Sequence, residues 1–237
     1  MYGADYFVGG TIPGGYADYG VDEALHRRNA TDRLARVAAA GFHPPGRVVE
    51  VGSGYGFFLA EARQRGWEVG GSDVSAHARR QAAQLDIHLT STAAELTGHA
   101  DVLAAFQVIE HMSDPCTELI PGLELLRSGG LLIIETWDRN HWLARTLGRR
   151  WQQVSPPSVI HLFTSEGIGL MARRAGLVEV EVQPTPKYVS LGAVAGQVAT
   201  GRPRWKAPID QLRRSRLGAK PMRYRFGDLV TLTARKP

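Results

Sequence analysis

Residues Val48 to Gly56 read VVEVGSGYG, and this stretch decides the fold of the chain. The apolar, β-branched start predicts a buried strand that closes on Glu50 and Val51. Alternating glycines then predict a tight turn, because glycine turns sharply and lets a ligand lie against the backbone. A helix-like pattern follows at once, from Phe57 to Arg65. Strand, glycine turn and helix start together indicate a cradle for a nucleotide-like cofactor.

The spacing of the glycines separates two classes of cofactor. A dinucleotide fingerprint would have its third glycine at the position that Phe57 occupies. Gly52, Gly54 and Gly56 instead form a G-x-G-x-G pattern, which Glu50 precedes. A plain turn is the alternative interpretation, and the segments that follow have to decide between the two.

A carboxylate stands at the end of the next predicted strand. Trp67 to Ser72 predicts that strand, and Asp73 follows it directly. A carboxylate at this edge can accept hydrogen bonds from both ribose hydroxyls of a nucleoside. Asp73 could instead serve only as a turn residue or cap, with Ser75 capping a helix from Ala76 to Leu85. The glycine turn one strand earlier favours the ribose role.

These segments resemble class I S-adenosylmethionine-dependent methyltransferases. Glu50 to Gly56 is similar to their first motif. Asp101 to Pro115 resembles the fourth strand and following segment of the small-molecule branch, which includes the ubiquinone-biosynthesis methyltransferases. Ser128 to Thr136 resembles the family's fifth strand. The resemblance runs from about Gly46 to Val182 and returns from Gly227 to Pro237.

The resemblance implies the fold class, the cofactor and the cofactor site. The expected α/β fold is Rossmann-like, with a doubly wound, seven-stranded, mostly parallel sheet and an antiparallel last strand at Leu229 to Ala234. The expected cofactor is S-adenosylmethionine, with S-adenosylhomocysteine as product. Thr92 departs from the family, which often has aspartate there for the adenine amino group. The implied cofactor residues are Glu50, Gly52, Ser53, Gly54, Gly56, Asp73, Val74, Thr92, Ala93, Phe106 and Gln107.

The remaining segments predict a cap and two insertions. Residues 1–45, with a helix from Val21 to Ala40, are expected to form an N-terminal helical cap or lid, and residues 46–237 the methyltransferase domain. We assign insertion 137–163 to the substrate pocket and insertion 184–226 to a lid or dimer element, because insertions at strand ends build ligand crevices. The expected substrate contacts are Tyr16, Tyr19, Trp137, Trp151 and Lys187.

Two histidines are the candidate general bases. A hydroxyl acceptor of high pKa needs a base or a metal, and histidine is the natural base near neutral pH. His111 follows the fourth predicted strand, and His161 lies in a segment that resembles one facing the same crevice. His141 is a weaker candidate. A hydrogen-bonded structural histidine is the alternative for each.

A metal-dependent RNA methyltransferase is the sharpest alternative. Small-RNA 2′-O-methyltransferases use a Glu-x-x-Glu-His arrangement and a later histidine, which Glu110, His111 and His161 could match. Gln107 stands at the first position, however, and a neutral amide is a poor ligand for a hard cation. We therefore predict no metal site.

Composition and charge limit the location and the partners that can be expected. The chain of 237 residues has a net charge of +5 and a single cysteine, Cys116, which fits a reducing, cytoplasmic location. No apolar run has the length of a membrane span. Residues 184–237 hold twelve Lys or Arg against two Asp, so they could attract an anionic partner or form a solvated face. Their scattered aromatics argue against nucleic acid.

The leading interpretation is O-methylation of a small-molecule acceptor such as a natural product, a sugar or a similar metabolite. An anionic acceptor would suit the basic segment, which could instead support a homodimer. A carrier-protein-bound acceptor, and transfer to nitrogen or carbon, stay open. A non-enzymatic partner subunit is disfavoured by the intact Glu50, glycine pattern and Asp73.

Overall fold

The structure is a computed structural model and describes residues 4–8, 19–20, 22–192, 194–195, 206–213, 215 and 217–237. The predicted substrate residue Tyr16 lies outside the described residues. Among those that are described, no helix combines the length and apolar character that a membrane crossing requires.

A six-stranded sheet forms the centre of the molecule, with strand order β2-β1-β3-β4-β8-β5. The first four strands in this order run parallel, and β8 lies antiparallel between β4 and β5, as the family resemblance implies. The strands are β1 (Arg47–Val51), β2 (Glu68–Ser72), β3 (Ala100–Phe106), β4 (Leu126–Trp137), β5 (Val178–Pro184) and β8 (Leu229–Arg235). A separate two-stranded sheet consists of β6 (Lys187–Ser190) and β7 (Pro221–Tyr224).

Helices cover both faces of this sheet, so the sheet is doubly wound. Leu34 and Phe58, from the helices α2 and α3, pack on one face, while Ile168 of α8 packs on the other. The helices are α1 (Ala4–Phe7), α2 (Glu23–Ala39), α3 (Phe57–Gln64), α4 (Ala76–Ala83), α5 (Pro115–Glu118), α6 (Ile120–Leu125), α7 (Trp142–Leu147), α8 (Ser165–Arg174) and α9 (Lys206–Arg213). Short 3-10 turns lie at Ala93–Glu95, Ile109–His111 and Gly148–Arg150.

The main sheet has six strands where seven were predicted. The third strand of the resembled family would fall in the region from Ile87 to Leu96, and here it is reduced to one isolated bridge between Ser72 and Thr90. Thr90 forms two backbone hydrogen bonds at the end of β2: its N–H donates to the Gly71 carbonyl, and its carbonyl accepts from the N–H of Asp73. The chain then turns into Ala93–Glu95, so the pairing cannot extend.

The predicted cap at Ser75 forms, and Thr164 caps α8 in the same way. The N–H of Ala78 donates to the Ser75 hydroxyl at 3.3 Å, which begins α4. Likewise the N–H of Gly167 donates to the Thr164 hydroxyl at 2.9 Å at the start of α8. Both bonds satisfy donors that a helix start leaves unpaired. The Ser75 cap thus begins α4 directly after the end of β2.

The insertion at 184–226 is tied to α2 through β6. Asn29 and Tyr188 form a reciprocal pair: the Asn29 amide donates to the Tyr188 carbonyl at 2.9 Å and accepts from its N–H at 2.7 Å. The Arg28 guanidinium also lies 3.9 Å from the centre of the Tyr188 ring. Helix α2 and strand β6 therefore form one wall at the carboxyl end of the sheet.

Candidate functional site

A cavity of about 570 Å³ lies at the carboxyl ends of β1, β2 and β3, a size typical of ligand pockets. Its other walls are α2, the start of β6 and the segments around Ala93 and His111. All the predicted cofactor residues except Gly56 line it, namely Glu50, Gly52, Ser53, Gly54, Asp73, Val74, Thr92, Ala93, Phe106 and Gln107. The structure thus brings together residues that are far apart in sequence.

The glycine turn requires glycine for both conformation and space. Gly52, Gly54 and Gly56 have φ values of +71°, +55° and +75°, in the region that side chains disfavour. A Cβ added at Gly52 would lie 2.3 Å from Cγ2 of Val108. Gly56 lies behind the cavity wall, where its added Cβ would meet Ile87 at 3.2 Å. The turn therefore presents bare backbone to a ligand.

Asp73 ties this turn to the second strand. One carboxylate oxygen accepts from the N–H of Gly54 and the other from the N–H of Ser75, both at 2.8 Å. Burial raises the pKa of Asp73, and these two hydrogen bonds and Arg79 oppose the rise. The predicted ribose role and the turn role are compatible, because a carboxylate has about four lone-pair sites. Asp73 still lines the cavity.

Glu50 presents an orphaned acceptor to the cavity. Its Oε2 is buried and has no hydrogen-bond partner within the described part of the chain. Burial raises the Glu50 pKa to about 8, while the positive charge of Arg33 acts in the opposite direction. A buried acceptor without a partner is costly, so a ligand with a donor or positive group would stabilise this site.

Arg33 enters the cavity from α2 and is held by Glu135 of β4. Its Nη2 and Nε donate to Oε2 of Glu135 at 2.6 Å and 3.1 Å. The guanidinium also lies 4.0 Å from the centre of the Phe106 ring. The buried Glu135 is 2% exposed, so this ion pair is held in fixed geometry beneath the cavity.

Lys187 enters from β6 and contacts the end of β3. Its ammonium donates to Oε1 of Gln107 at 3.0 Å and lies 4.7 Å from the centre of the Trp137 ring. Gln107 itself has a φ of +54°, a left-handed conformation that is uncommon for a residue with a side chain. Such strain is often found at functional sites, and here it lies at the cavity edge.

His111, one of the two predicted general bases, lines the cavity near the cofactor residues. Its Nδ1 lies 2.6 Å from the carbonyl oxygen of Ser158. A carbonyl can only accept, so Nδ1 carries the proton of this hydrogen bond, and in the neutral ring the lone pair is on Nε2. Ser158 belongs to insertion 137–163, which therefore orients this histidine.

Three other predicted residues lie away from the cavity lining. His161 lies outside the lining, and its Nε2 lies 3.2 Å from the Ser113 carbonyl oxygen. Trp137 and Trp151 are 7% and 4% exposed and belong to a separate core cluster. The Trp151 indole donates to Asp228 at 3.1 Å, which satisfies its N–H within the fold. The structure therefore places these two tryptophans in a core cluster rather than in the cavity lining, while Ser158 of insertion 137–163 contacts His111.

Two of the predicted substrate residues do line the cavity, and some lining residues were missed. Tyr19 and Lys187 contribute to its wall. Sequence reasoning missed His26, Asn29 and Arg33, which also line it. Their spacing is i, i+3 and i+7, which places three polar side chains on one face of the predicted N-terminal helix. That pattern was the available signal.

The residues of the metal alternative do not converge. The Glu110 carboxylate accepts from the Thr136 hydroxyl at 2.9 Å inside the core. His111 and His161 direct ring nitrogens at two different backbone carbonyls. Across the described ranges, no group of three His, Cys, Asp or Glu side chains is arranged to hold a metal ion.

Known proteins share this sequence pattern and fold. A family model described as "Methyltransferase domain" matches residues 21–182. The ubiquinone biosynthesis O-methyltransferase of Cereibacter sphaeroides is 30% identical over 151 residues, which cover 57% of this chain and 61% of that protein. The match thus spans about three fifths of that relative.

Solved structures agree on the fold. A SAM-dependent methyltransferase from Thermotoga maritima has a TM-score of 0.59 at 22% identity, over 92% of this chain and 94% of that one. The magnesium protoporphyrin IX methyltransferase of Synechocystis PCC 6803, solved with bound SAH, has a TM-score of 0.57 at 17% identity, over 90% and 84%. Because the family model covers more than half of the chain, this protein belongs to the class I S-adenosylmethionine-dependent methyltransferases.

Proposed function

We propose that this protein transfers the methyl group of S-adenosylmethionine to an oxygen atom of a small-molecule acceptor. The observation that carries the proposal is the position of His111, which lines the cavity while its Nδ1–H donates to the Ser158 carbonyl. The matched curated relative is named an O-methyltransferase, which supports an oxygen acceptor. A natural product, a sugar or a similar metabolite, methylated in the cytoplasm, is the acceptor class that we favour.

The residues of the cavity fit the cofactor. The bare backbone at Gly52 and Gly54 can accept close contact, and Asp73 can bind ribose hydroxyls. The orphaned Oε2 of Glu50 suits a positively charged group, and Arg33 suits a carboxylate. When bound, S-adenosylmethionine supplies an electrophilic methyl group on a cationic sulfur.

The chain contributes positioning, water exclusion and proton removal. We assign the end of the cavity beside the wall of α2 and β6 to the acceptor, and we expect this wall to shield a bound acceptor from water. The Nε2 of His111 can take the proton from an acceptor hydroxyl while Nδ1–H donates to the Ser158 carbonyl, which stabilises the resulting imidazolium. The proton then leaves to solvent.

The proposal is tested with a panel of small acceptors grouped as hydroxyls, amines and activated carbons. Each group is incubated with S-adenosylmethionine, and both S-adenosylhomocysteine release and the added methyl are measured by mass spectrometry. We expect transfer within the hydroxyl group and a sharp loss in His111→Gln. Transfer only to amines or carbon, with His111→Gln fully active, would contradict an oxygen acceptor and a histidine base.

The metal-dependent RNA reaction is separated by two further arms. EDTA should leave the turnover unchanged, because the residues of that alternative do not converge. An RNA oligonucleotide should accept no methyl group. Turnover that EDTA abolishes and magnesium or manganese restores would favour the RNA reaction instead.

A further inference from the structure

The acceptor end of the cavity carries one positive charge without a carboxylate partner. The Lys187 ammonium has three N–H donors, and the Gln107 amide is its sole hydrogen-bond partner within the described residues. A carboxylate lies within ion-pair distance of Arg33, by contrast. Arg33 is therefore compensated and Lys187 is not.

The acidic groups near Lys187 are engaged elsewhere. Glu135 pairs with Arg33 and Arg36, and Glu110 accepts from Thr136. Asp228 accepts from the Trp151 indole and from the Tyr224 hydroxyl, so its oxygens are also engaged. These groups act on Lys187 only at longer range.

A second polar atom at this end also lacks a partner. Nε2 of His26 is buried and has no hydrogen-bond partner in the parts of the chain that are described. Burial, with Arg33 and Lys187 nearby, lowers the His26 pKa to about 3, so the ring stays neutral. A neutral imidazole with its proton on Nε2 can donate a hydrogen bond without adding charge. Both His26 and Lys187 line the same cavity.

We propose that Lys187 and His26 together bind a carboxylate group of the acceptor, so that the substrate is a monoanion with a hydroxyl elsewhere. This inference rests on the proposed function and names its substrate class. The Lys187 cation matches the single negative charge of a carboxylate, and the two residues together provide donors for its two oxygens. A dianionic phosphate would exceed this charge. The aromatic wall, which includes Tyr19, Phe57 and Tyr188, suits a flat ring beside the carboxylate.

The proposal predicts a pH window for anion binding. Burial lowers the Lys187 pKa to about 8, with Arg33 lowering it further and Glu135, Glu110 and Asp228 opposing the fall. The ammonium is present below this pKa and is lost as pH rises through it. Glu50, with a pKa of about 8, also gains negative charge in this range, so a control has to separate the two.

Binding of simple probes tests the proposal without turnover. Calorimetry measures S-adenosylhomocysteine first, and then benzoate, benzamide and phenyl phosphate on the saturated protein. We expect benzoate to bind about tenfold more tightly than benzamide and more tightly than phenyl phosphate. Lys187→Met should remove the preference for benzoate, and His26→Phe should weaken it. Lys220→Met, at an exposed lysine of the same insertion, should retain it.

The pH arm uses Lys187→Arg, which keeps the charge and does not titrate in this range. Wild-type benzoate affinity should fall between pH 7 and pH 9.5, and the variant should show a flat profile. A profile that still falls in the variant assigns the effect to Glu50 and contradicts the role of Lys187.

Other outcomes overturn the proposal in distinguishable ways. No preference for benzoate over benzamide, with normal S-adenosylhomocysteine binding, refutes this inference alone. A loss of S-adenosylhomocysteine affinity in Lys187→Met would place the cofactor's own carboxylate at Lys187 and also refute it. Tighter binding of phenyl phosphate would replace the carboxylate class. Failure of the wild type to bind S-adenosylhomocysteine would refute the proposed function itself.

Discussion

Alanine at Gly52 should damage the cofactor site far more than alanine at a matched glycine elsewhere. Gly41 and Gly52 have φ values of +87° and +71°, so alanine at either position is strained by about 1–2 kcal/mol. At Gly41 the added Cβ would meet nothing within 4 Å. At Gly52 it would lie 2.3 Å from Cγ2 and 2.9 Å from Cβ of Val108.

The two substitutions therefore differ mainly by the contact with Val108. Overpacking of this kind costs a further ~1–3 kcal/mol. Gly41→Ala should thus lower the free energy of unfolding by about 1–2 kcal/mol, and Gly52→Ala by roughly 2–5 kcal/mol. Val108 lines the cavity, so a shift of its side chain should also weaken ligand binding. The affinity for S-adenosylhomocysteine should fall about tenfold to a hundredfold in Gly52→Ala, since tenfold corresponds to ~1.4 kcal/mol.

Urea unfolding measures the stability of both variants, and calorimetry measures their affinity for S-adenosylhomocysteine. Gly41→Ala should bind like the wild type, because Gly41 lies outside the cavity lining. Equal destabilisation of the two variants, or an affinity of Gly52→Ala within about threefold of the wild type, would refute the reasoning from the turn geometry.

Three further predictions concern residues in the cavity and residues outside its lining. Asp73→Asn should weaken S-adenosylhomocysteine binding by ~1.5–3 kcal/mol, which calorimetry measures. It should also lower the stability measured by urea unfolding, because the two carboxylate oxygens of Asp73 accept from two backbone N–H groups. His111→Ala should reduce kcat about 10²–10⁴-fold and His161→Ala much less, because His111 lines the cavity and His161 does not. Steady-state kinetics measures both effects. Trp151→Phe should cost ~1–3 kcal/mol of stability, measured by urea unfolding, without weakening acceptor binding, since it removes the bond to buried Asp228.

Local signals explain what could be predicted of the fold. The glycine turn after β1 and Asp73 after β2 follow from patterns within a few residues, and both lie at the cavity as expected. The antiparallel β8 followed from the family resemblance. Thr90 shows the limit of this reasoning, because its strand is cut short by the chain's own turn towards Ala93.

Residues whose role depends on packing could not be assigned in the same way. Trp137 and Trp151 are large aromatic residues of the kind that line ligand pockets. Both are instead buried in one core cluster, where the Trp151 indole donates to Asp228. Whether a residue of an insertion is buried in the core or lines a pocket depends on the elements that pack against it. Conversely, His26 and Arg33 reach the cavity only because α2 packs across it. Their helical spacing was visible, but the surface that they would face was not.

Calorimetric titration of the wild-type protein with S-adenosylhomocysteine and with NADH tests the central claim most directly. The claim is that the G-x-G-x-G turn and Asp73 select S-adenosylmethionine, since Phe57 occupies the third glycine position of a dinucleotide fingerprint. S-adenosylhomocysteine should bind at a single site, and NADH should give no heat beyond dilution. Tight binding of NADH together with no binding of S-adenosylhomocysteine would contradict it.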